Sequence, residues 1–127
     1  VIDIQNNTIE ASSASRPVIL VRDKEYKIIK GKSKLPIGLA LGDKRTYKTE
    51  KIDYQQGDSI YLLTDGYCDQ FGGKEGEKFM SERFLKLLVK IQELSMPNQG
   101  VELNNIIEEW KGTREQIDDI LVLGFRI

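Results

Sequence analysis

The stretch that decides the fold reads Ser59-Ile60-Tyr61-Leu62-Leu63-Thr64-Asp65-Gly66. It is a short apolar run bounded by turn residues, which is typical of a buried strand. The run ends in an aspartate, so a rigid strand would present that carboxylate at the edge of a sheet. The glycine after it lets the backbone turn sharply and lets another group approach closely. The sequence therefore predicts a central strand that carries an acidic side chain at its end.

The residues before this strand predict further strands, over about 1–64 in all. Four runs rich in β-branched residues, 1–4, 8–13, 17–21 and 26–29, are separated by polar turns. A weakly alternating run at 45–52 fits an edge strand, and the glycines and proline of 31–42 indicate a loop.

The residues after this strand change character. A glycine-rich polar loop, 65–76, is followed by two runs with apolar residues at helical spacing, about 81–94 and 98–111. A final apolar strand covers about 119–126. Strands, a helix pair and a strand predict an α+β fold: a mostly antiparallel sheet with an antiparallel helix pair on one face. The 127 residues suit one domain or part of one, and Val1 in place of methionine predicts a piece of a longer chain.

Composition excludes several classes of function. Hydrophobic residues are 39% and charged residues 31%, which fits a folded globular chain. The 19 basic and 20 acidic residues give a net charge of −1, which argues against nucleic-acid binding. No apolar run is long enough to span a bilayer. A single cysteine, Cys68, fits a reducing compartment and predicts a cytoplasmic location.

The chain contains no histidine. This excludes Ser-His-Asp and Cys-His nucleophile systems and every histidine-ligated metal site within it. A site for a hard cation, built from oxygen ligands, remains open.

Aspartates stand where such a site would need them. Asp69 follows Asp65 by four residues, so a helical turn would place both on one face. Asp118 and Asp119 precede the last strand. If Asp118 lies beside Asp65, the cluster would suit Mg²⁺ or Mn²⁺ and would acidify a bound water. Taken alone, Asp65-Gly66 fits a simple turn, and Asp118-Asp119 fits a solvated loop or cap. The prediction of a metal site therefore depends on both segments occurring together.

Two blocks give a family resemblance. Thr64-Asp65-Gly66-Tyr67-Cys68-Asp69-Gln70-Phe71-Gly72-Gly73 and Gln116-Ile117-Asp118-Asp119-Ile120-Leu121-Val122 resemble the metal-dependent (type-2C, PPM) protein serine/threonine phosphatases. The similarity is to their bacterial branch that resembles stage II sporulation protein E, and Leu35-Pro36-Ile37-Gly38 fits it too. It covers almost the whole chain and corresponds to the C-terminal half of the family's domain. It implies half of the family's β-sandwich.

The resemblance implies roles for matched positions. Asp65 and Asp118 would ligate the same metal of a Mg²⁺ or Mn²⁺ pair, and Asp69 would help to hold a weaker third metal. Gly66 would permit close approach of the backbone. Asp119 stands where relatives often carry asparagine, which leaves its own ligation open. Arg16 is a candidate for phosphate contact from the residues alone, although it is equally well a surface side chain.

The resemblance also implies an activity and partners. The family hydrolyses phosphoserine or phosphothreonine with metal-activated water and without a phosphoenzyme. The implied partners are a phosphoprotein substrate, with an anti-anti-sigma-like protein as one candidate, sensory or receiver domains, and the N-terminal remainder of the same domain. That remainder carries a metal-bridging aspartate followed by Gly-His, which nothing in this chain matches, so this chain alone is expected to be inactive. The rival hypothesis is a non-catalytic module that binds a partner or dimerises through an open sheet edge.

Overall fold

The computed structural model describes residues 1–14, 16–29 and 49–127. The predicted loop at 31–42, with Leu35 to Gly38 in it, and the first part of the predicted strand at 45–52 lie outside the described residues. The described strands are β1 (Ile2–Asp3), β2 (Thr8–Ala11), β3 (Val18–Arg22), β4 (Glu25–Ile29), β5 (Glu50–Asp53), β6 (Ser59–Leu63), β7 (Phe71–Gly72), β8 (Glu77–Lys78) and β9 (Val122–Arg126). The described helices are α1 (Gly66–Asp69), α2 (Ser81–Lys90) and α3 (Met96–Lys111).

The main sheet has four strands in the order β4-β3-β6-β9, and each neighbouring pair is antiparallel. The strand that decides the fold, β6, is central and lies between β3 and β9. A second antiparallel sheet has the order β1-β2-β5, and β7 and β8 form a small hairpin. The predicted α+β class with mostly antiparallel sheets is confirmed.

Alternating side chains of β3 and β6 build two separate cores. Ile19 and Tyr61 lie on the face covered by the helices, and Leu20 and Ile60 lie on the opposite face against the three-stranded sheet. Successive side chains of a strand point to opposite faces, so a strand buried on both faces must be apolar throughout. This explains the continuous apolar run of β3 and β6 and places the helices on one face of the main sheet.

Local chemistry sets both ends of the longest helix, α3. The Ser95 hydroxyl accepts a hydrogen bond from the Asn98 amide at 3.4 Å, Pro97 lies in the first turn of α3, and Gly112 ends it with a φ of 59°. The bounds differ from those expected from the sequence: α2 ends at Lys90 rather than near 94, α3 begins at residue 96 rather than 98, and β9 begins at 122 rather than 119.

Two buried polar contacts hold the main sheet, one to helix α3 and one between β3 and the residue before β6. The Tyr61 hydroxyl donates a hydrogen bond to Oε1 of Gln99 at 2.5 Å, which ties β6 to α3. Asp58 is 1% exposed and accepts hydrogen bonds from Nε and Nη2 of Arg22 at 2.8 and 2.5 Å. Both groups are satisfied, as buried polar groups must be. Within the described ranges, no helix is both long and apolar enough to cross a membrane.

Candidate functional site

Asp65 follows β6, with Thr64 between them, and β6 is paired with a strand on each side. Its carbonyl oxygen accepts a hydrogen bond from the amide of Asp69 at 2.9 Å, which closes one helical turn. The segment after the strand therefore winds as the short helix α1, and Asp69 stands one turn beyond Asp65.

Thr64 joins this strand end to the segment that carries Asp118 and Asp119. Its hydroxyl donates to the carbonyl of Asp119 at 2.7 Å and accepts from the amide of Leu121 at 3.0 Å. Its own amide donates to the carbonyl of Leu121 at 3.1 Å. These three hydrogen bonds hold residues 119–121 against the end of β6.

Gly66 permits a still closer approach at the same place. A Cβ atom at Gly66 would lie 2.4 Å from the carbonyl oxygen of Asp119 and 3.2 Å from that of Asp118. The first distance is impossible for a side chain, so the backbone of 118–119 can pack here only against a glycine. The structure thus brings the two predicted aspartate blocks, at Asp65 and at Asp118, to one edge of the main sheet.

The carboxylates at this edge have partners of their own. Arg16 forms an ion pair with Oδ2 of Asp65, and this hydrogen bond holds the pKa of the Asp65 carboxyl below its usual value. Oδ1 of Asp69 lies 3.1 Å from Nζ of Lys78. Oδ1 of Asp118 accepts the amide hydrogen of Asp119 at 2.7 Å.

The three predicted side chains do not form one ligand shell. Across residues 1–14, 16–29 and 49–127, no group of three or more His, Cys, Asp or Glu side chains is arranged to hold a metal ion. Asp65 and the 118–119 backbone adjoin, whereas Asp69 pairs with Lys78. Metal ligation by Asp65, Asp118, Asp69 and Asp119 stays a prediction, as does phosphate contact by Arg16.

The donor chemistry nevertheless fits a hard divalent cation. Asp65 is partly exposed and Asp118 is exposed, and both offer carboxylate oxygens from adjoining backbone segments. Such oxygens are the ligands that Mg²⁺ prefers, usually one or two carboxylates with several waters. These residues fit as part of a metal site.

Sequence reasoning missed the residues that position this edge. Gln70 is buried, and its Nε2 donates to the carbonyl of Glu115 at 2.9 Å, which restrains the segment leading to Asp118. The carbonyl of Gln70 accepts from Nε1 of Trp110 at 3.1 Å. The sequence gives no signal that Gln70 restrains a distant segment, because a polar residue beside an acidic loop is common. The role of Thr64 could be predicted only if its partner segment, 119–121, were already known.

A cavity of about 330 Å³ opens beside Asp65. Apolar side chains such as Ile19, Leu63 and Phe84 line it, and Arg16 lies at the same cavity. Cys68 also lines it, and burial raises the pKa of the Cys68 thiol. The thiol is therefore protonated at neutral pH and a poor nucleophile.

Comparison with known proteins agrees with this fold. The family model described as stage II sporulation protein E (SpoIIE) matches residues 1–127. The chain therefore belongs to the SpoIIE family. No curated protein matches it significantly.

Solved structures give the same class of fold. The SiaA-PP2C domain of Pseudomonas aeruginosa is 28% identical with a TM-score of 0.90 over 99% of this chain and 49% of that one. A structure of the PP2C phosphatase domain and a regulatory fragment of SpoIIE from Bacillus subtilis is 19% identical, with a TM-score of 0.73 over 99% of this chain and 36% of that one. A phosphatase domain of B. subtilis SpoIIE described as Mn presoaked is 16% identical, with a TM-score of 0.66 over 100% and 54%.

These matches define the extent of the likeness. The chain has the fold of part of a PP2C phosphatase domain and spans about half the length of the SiaA-PP2C domain that it matches. The predicted resemblance to the PPM phosphatases, in their SpoIIE-like branch, is confirmed.

Proposed function

We propose that this chain is the C-terminal part of a Mg²⁺- or Mn²⁺-dependent protein phosphatase domain that hydrolyses phosphoserine or phosphothreonine in bacterial signalling. One observation carries the proposal: the backbone of 118–119 packs on Gly66, which sets the Asp118 segment beside Asp65. Asp65, just after the central strand, and Asp118, on the adjoining segment, form an acidic edge together with Asp69. Metal-dependent hydrolysis of a phosphate ester needs carboxylates placed in this way.

The residues of this chain would bind and orient rather than react. Asp65 offers its carboxylate from just beyond β6, a strand paired on both sides, and Asp118 offers its own from a segment held by Thr64. A divalent cation held there would supply a Lewis acid and would lower the pKa of water. Asp69, one helical turn from Asp65, is the candidate for a weaker third metal.

Two comparisons support the proposal. The SiaA domain, described as a PP2C domain, is similar to this chain over almost its whole length. A SpoIIE structure described as a phosphatase domain, Mn presoaked, shares its fold. Because this chain covers about half of such domains, we expect activity only in the longer protein that supplies the remaining ligands.

Manganese binding tests the proposal directly. Calorimetric titration should show Mn²⁺ binding to the chain, and Asp65→Asn and Asp118→Asn should each abolish it. Asp23→Asn is the matched control, because Asp23 is an exposed turn residue between β3 and β4, and it should bind as the unmodified chain does. In the longer protein, both site variants should lose hydrolysis of a phosphoprotein. Retained binding in both variants would overturn the assignment of these ligands.

The second candidate function is an interaction or dimerisation module, and one observation favours it. In the part of the chain that the structure describes, β9 is an edge strand; Leu121, just before it, is 61% exposed, and Leu123, within it, is 54% exposed. Exposed apolar edge strands favour pairing with another chain. Sedimentation of the chain and of Leu123→Lys tests this: a dimer that the variant dissociates, together with no Mn²⁺ response in the longer protein, would favour the module.

The partners stay predictions. The family resemblance implies a phosphoprotein substrate, with an anti-anti-sigma-like protein as a candidate, and sensory or receiver domains. The cytoplasmic location follows from the single cysteine. Affinity capture with the longer protein, using the Asp65→Asn variant to retain a phosphorylated substrate, would test the first two.

A further inference from the structure

Two of the predicted metal ligands, Asp65 and Asp69, form ion pairs with basic side chains of this chain. Arg16 pairs with Asp65, and Lys78 pairs with Asp69. Arg16 comes from the segment before β3 and Lys78 from β8, whereas both aspartates belong to the β6–α1 segment. The two basic side chains therefore reach the acidic edge from separate elements.

We propose that Arg16 and Lys78 are internal counter-ions of the acidic edge, which a divalent cation must displace, so that they set its affinity for metal. The inference rests on the proposed metal site. It assigns to Arg16 a role on a carboxylate of the protein, distinct from the phosphate contact expected from the sequence.

Electrostatics makes such counter-ions useful. Asp65, Asp69 and Asp118 concentrate negative charge at one edge of the sheet, and like charges held close together repel each other. A guanidinium on Asp65 and an ammonium on Asp69 relieve that repulsion. Each also occupies one oxygen of a carboxylate that a hard cation would use, so the basic side chain and the metal compete for the same carboxylate.

Exposure makes the displacement feasible. The side chains of Arg16 and Lys78 are 53% and 41% exposed, so each can move into solvent while β6 and α1 stay in place. Exposed ion pairs contribute little free energy and weaken as salt is added. The counter-ions would therefore lower metal affinity several-fold without preventing binding.

Neutral variants test the proposal by metal affinity rather than by activity. Arg16→Gln removes the charge and Arg16→Lys keeps it, and Lys78→Gln removes the second counter-ion. Lys86→Gln is the matched control, because Lys86 pairs with Glu82 on the exposed face of α2. The dissociation constant for Mn²⁺ is measured by calorimetry at low and at high salt.

We expect Arg16→Gln to bind Mn²⁺ about two- to fivefold more tightly than the unmodified chain at low salt, as loss of an exposed competing pair allows. Arg16→Lys and Lys86→Gln should stay close to the unmodified chain, Lys78→Gln should shift in the same direction as Arg16→Gln, and high salt should shrink the difference.

Each other result overturns the inference. Equal affinity in Arg16→Gln, with normal Mn²⁺ binding by the unmodified chain, would refute the counter-ions but leave the metal site standing. Weaker binding in Arg16→Gln would show that Arg16 supports the site. Absence of Mn²⁺ binding in every variant and in the longer protein would refute both the counter-ions and the proposed function.

Discussion

Substitution of Gly66 by alanine tests the contact on which the candidate site depends. The added Cβ would stand 2.4 Å from the carbonyl oxygen of Asp119, and an ordinary contact begins near 3.4 Å. The obstacle is backbone, so residues 118–119 must retreat by about 1 Å. The retreat would break the two hydrogen bonds of the Thr64 hydroxyl, each worth about 1 kcal/mol. We expect a loss of about 2 kcal/mol in the free energy of unfolding.

Urea denaturation measures this loss, and Mn²⁺ titration reports on the site. With an m-value of about 2 kcal/mol/M, the midpoint should fall by about 1 M. Gly100→Ala is the matched control: it lies in α3, its Cβ would meet no atom within 4 Å, and alanine should stabilise the helix by about 0.5–1 kcal/mol. If Gly66→Ala unfolds at the same urea concentration as the unmodified chain and binds Mn²⁺ equally well, the close packing and its link to the site are wrong.

Three further variants or treatments test other parts of the structure. Tyr61→Phe leaves Oε1 of the buried Gln99 without its hydroxyl donor, so urea denaturation should show a loss of about 1–3 kcal/mol, and an unchanged midpoint would refute the contact. Asp58→Asn breaks the largely buried pair with Arg22 and should cost about 2–3 kcal/mol, below the range for fully buried pairs because Arg22 is 29% exposed. Cys68 has a raised pKa and is buried, so at pH 7.5 it should react with iodoacetamide at least about tenfold more slowly than in the urea-unfolded chain and faster as pH rises; equal rates would contradict its burial.

Much of the fold was readable from local pattern. The apolar run at Ser59–Leu63 predicts β6, whose first three residues are buried, and helical spacing predicts α2 and α3. The predicted ends of the helices and of the last strand were less accurate. Apolar residues at helical spacing continue as far as Ile91 and Leu94, but the chain leaves the helix after Lys90. Apolar character continues through a turn as readily as through a helix, so periodicity alone cannot mark that end.

The candidate site was readable in part, because its aspartates lie at strand ends. What the sequence could not show is the pairing across the chain. The packing of Asp119 on Gly66 joins residues that are 53 positions apart in the sequence. The ion pair of Arg16 and Asp65 joins residues that are 49 positions apart. Such contacts depend on how the strands are ordered in the sheet, which no local pattern encodes. The same limit explains why Lys78 gave no signal as a partner of Asp69.

The two cores on either side of β3 and β6 have a consequence for local opening. The small sheet β1-β2-β5 shares its core with one face of these strands only, and the acidic edge belongs to the layer that the helices cover. We expect the small sheet to open as one unit while that layer keeps its packing. We therefore expect amide hydrogens of β2 and β5 to exchange with solvent sooner than those of β6. The acidic edge should then keep its structure when the small sheet is open.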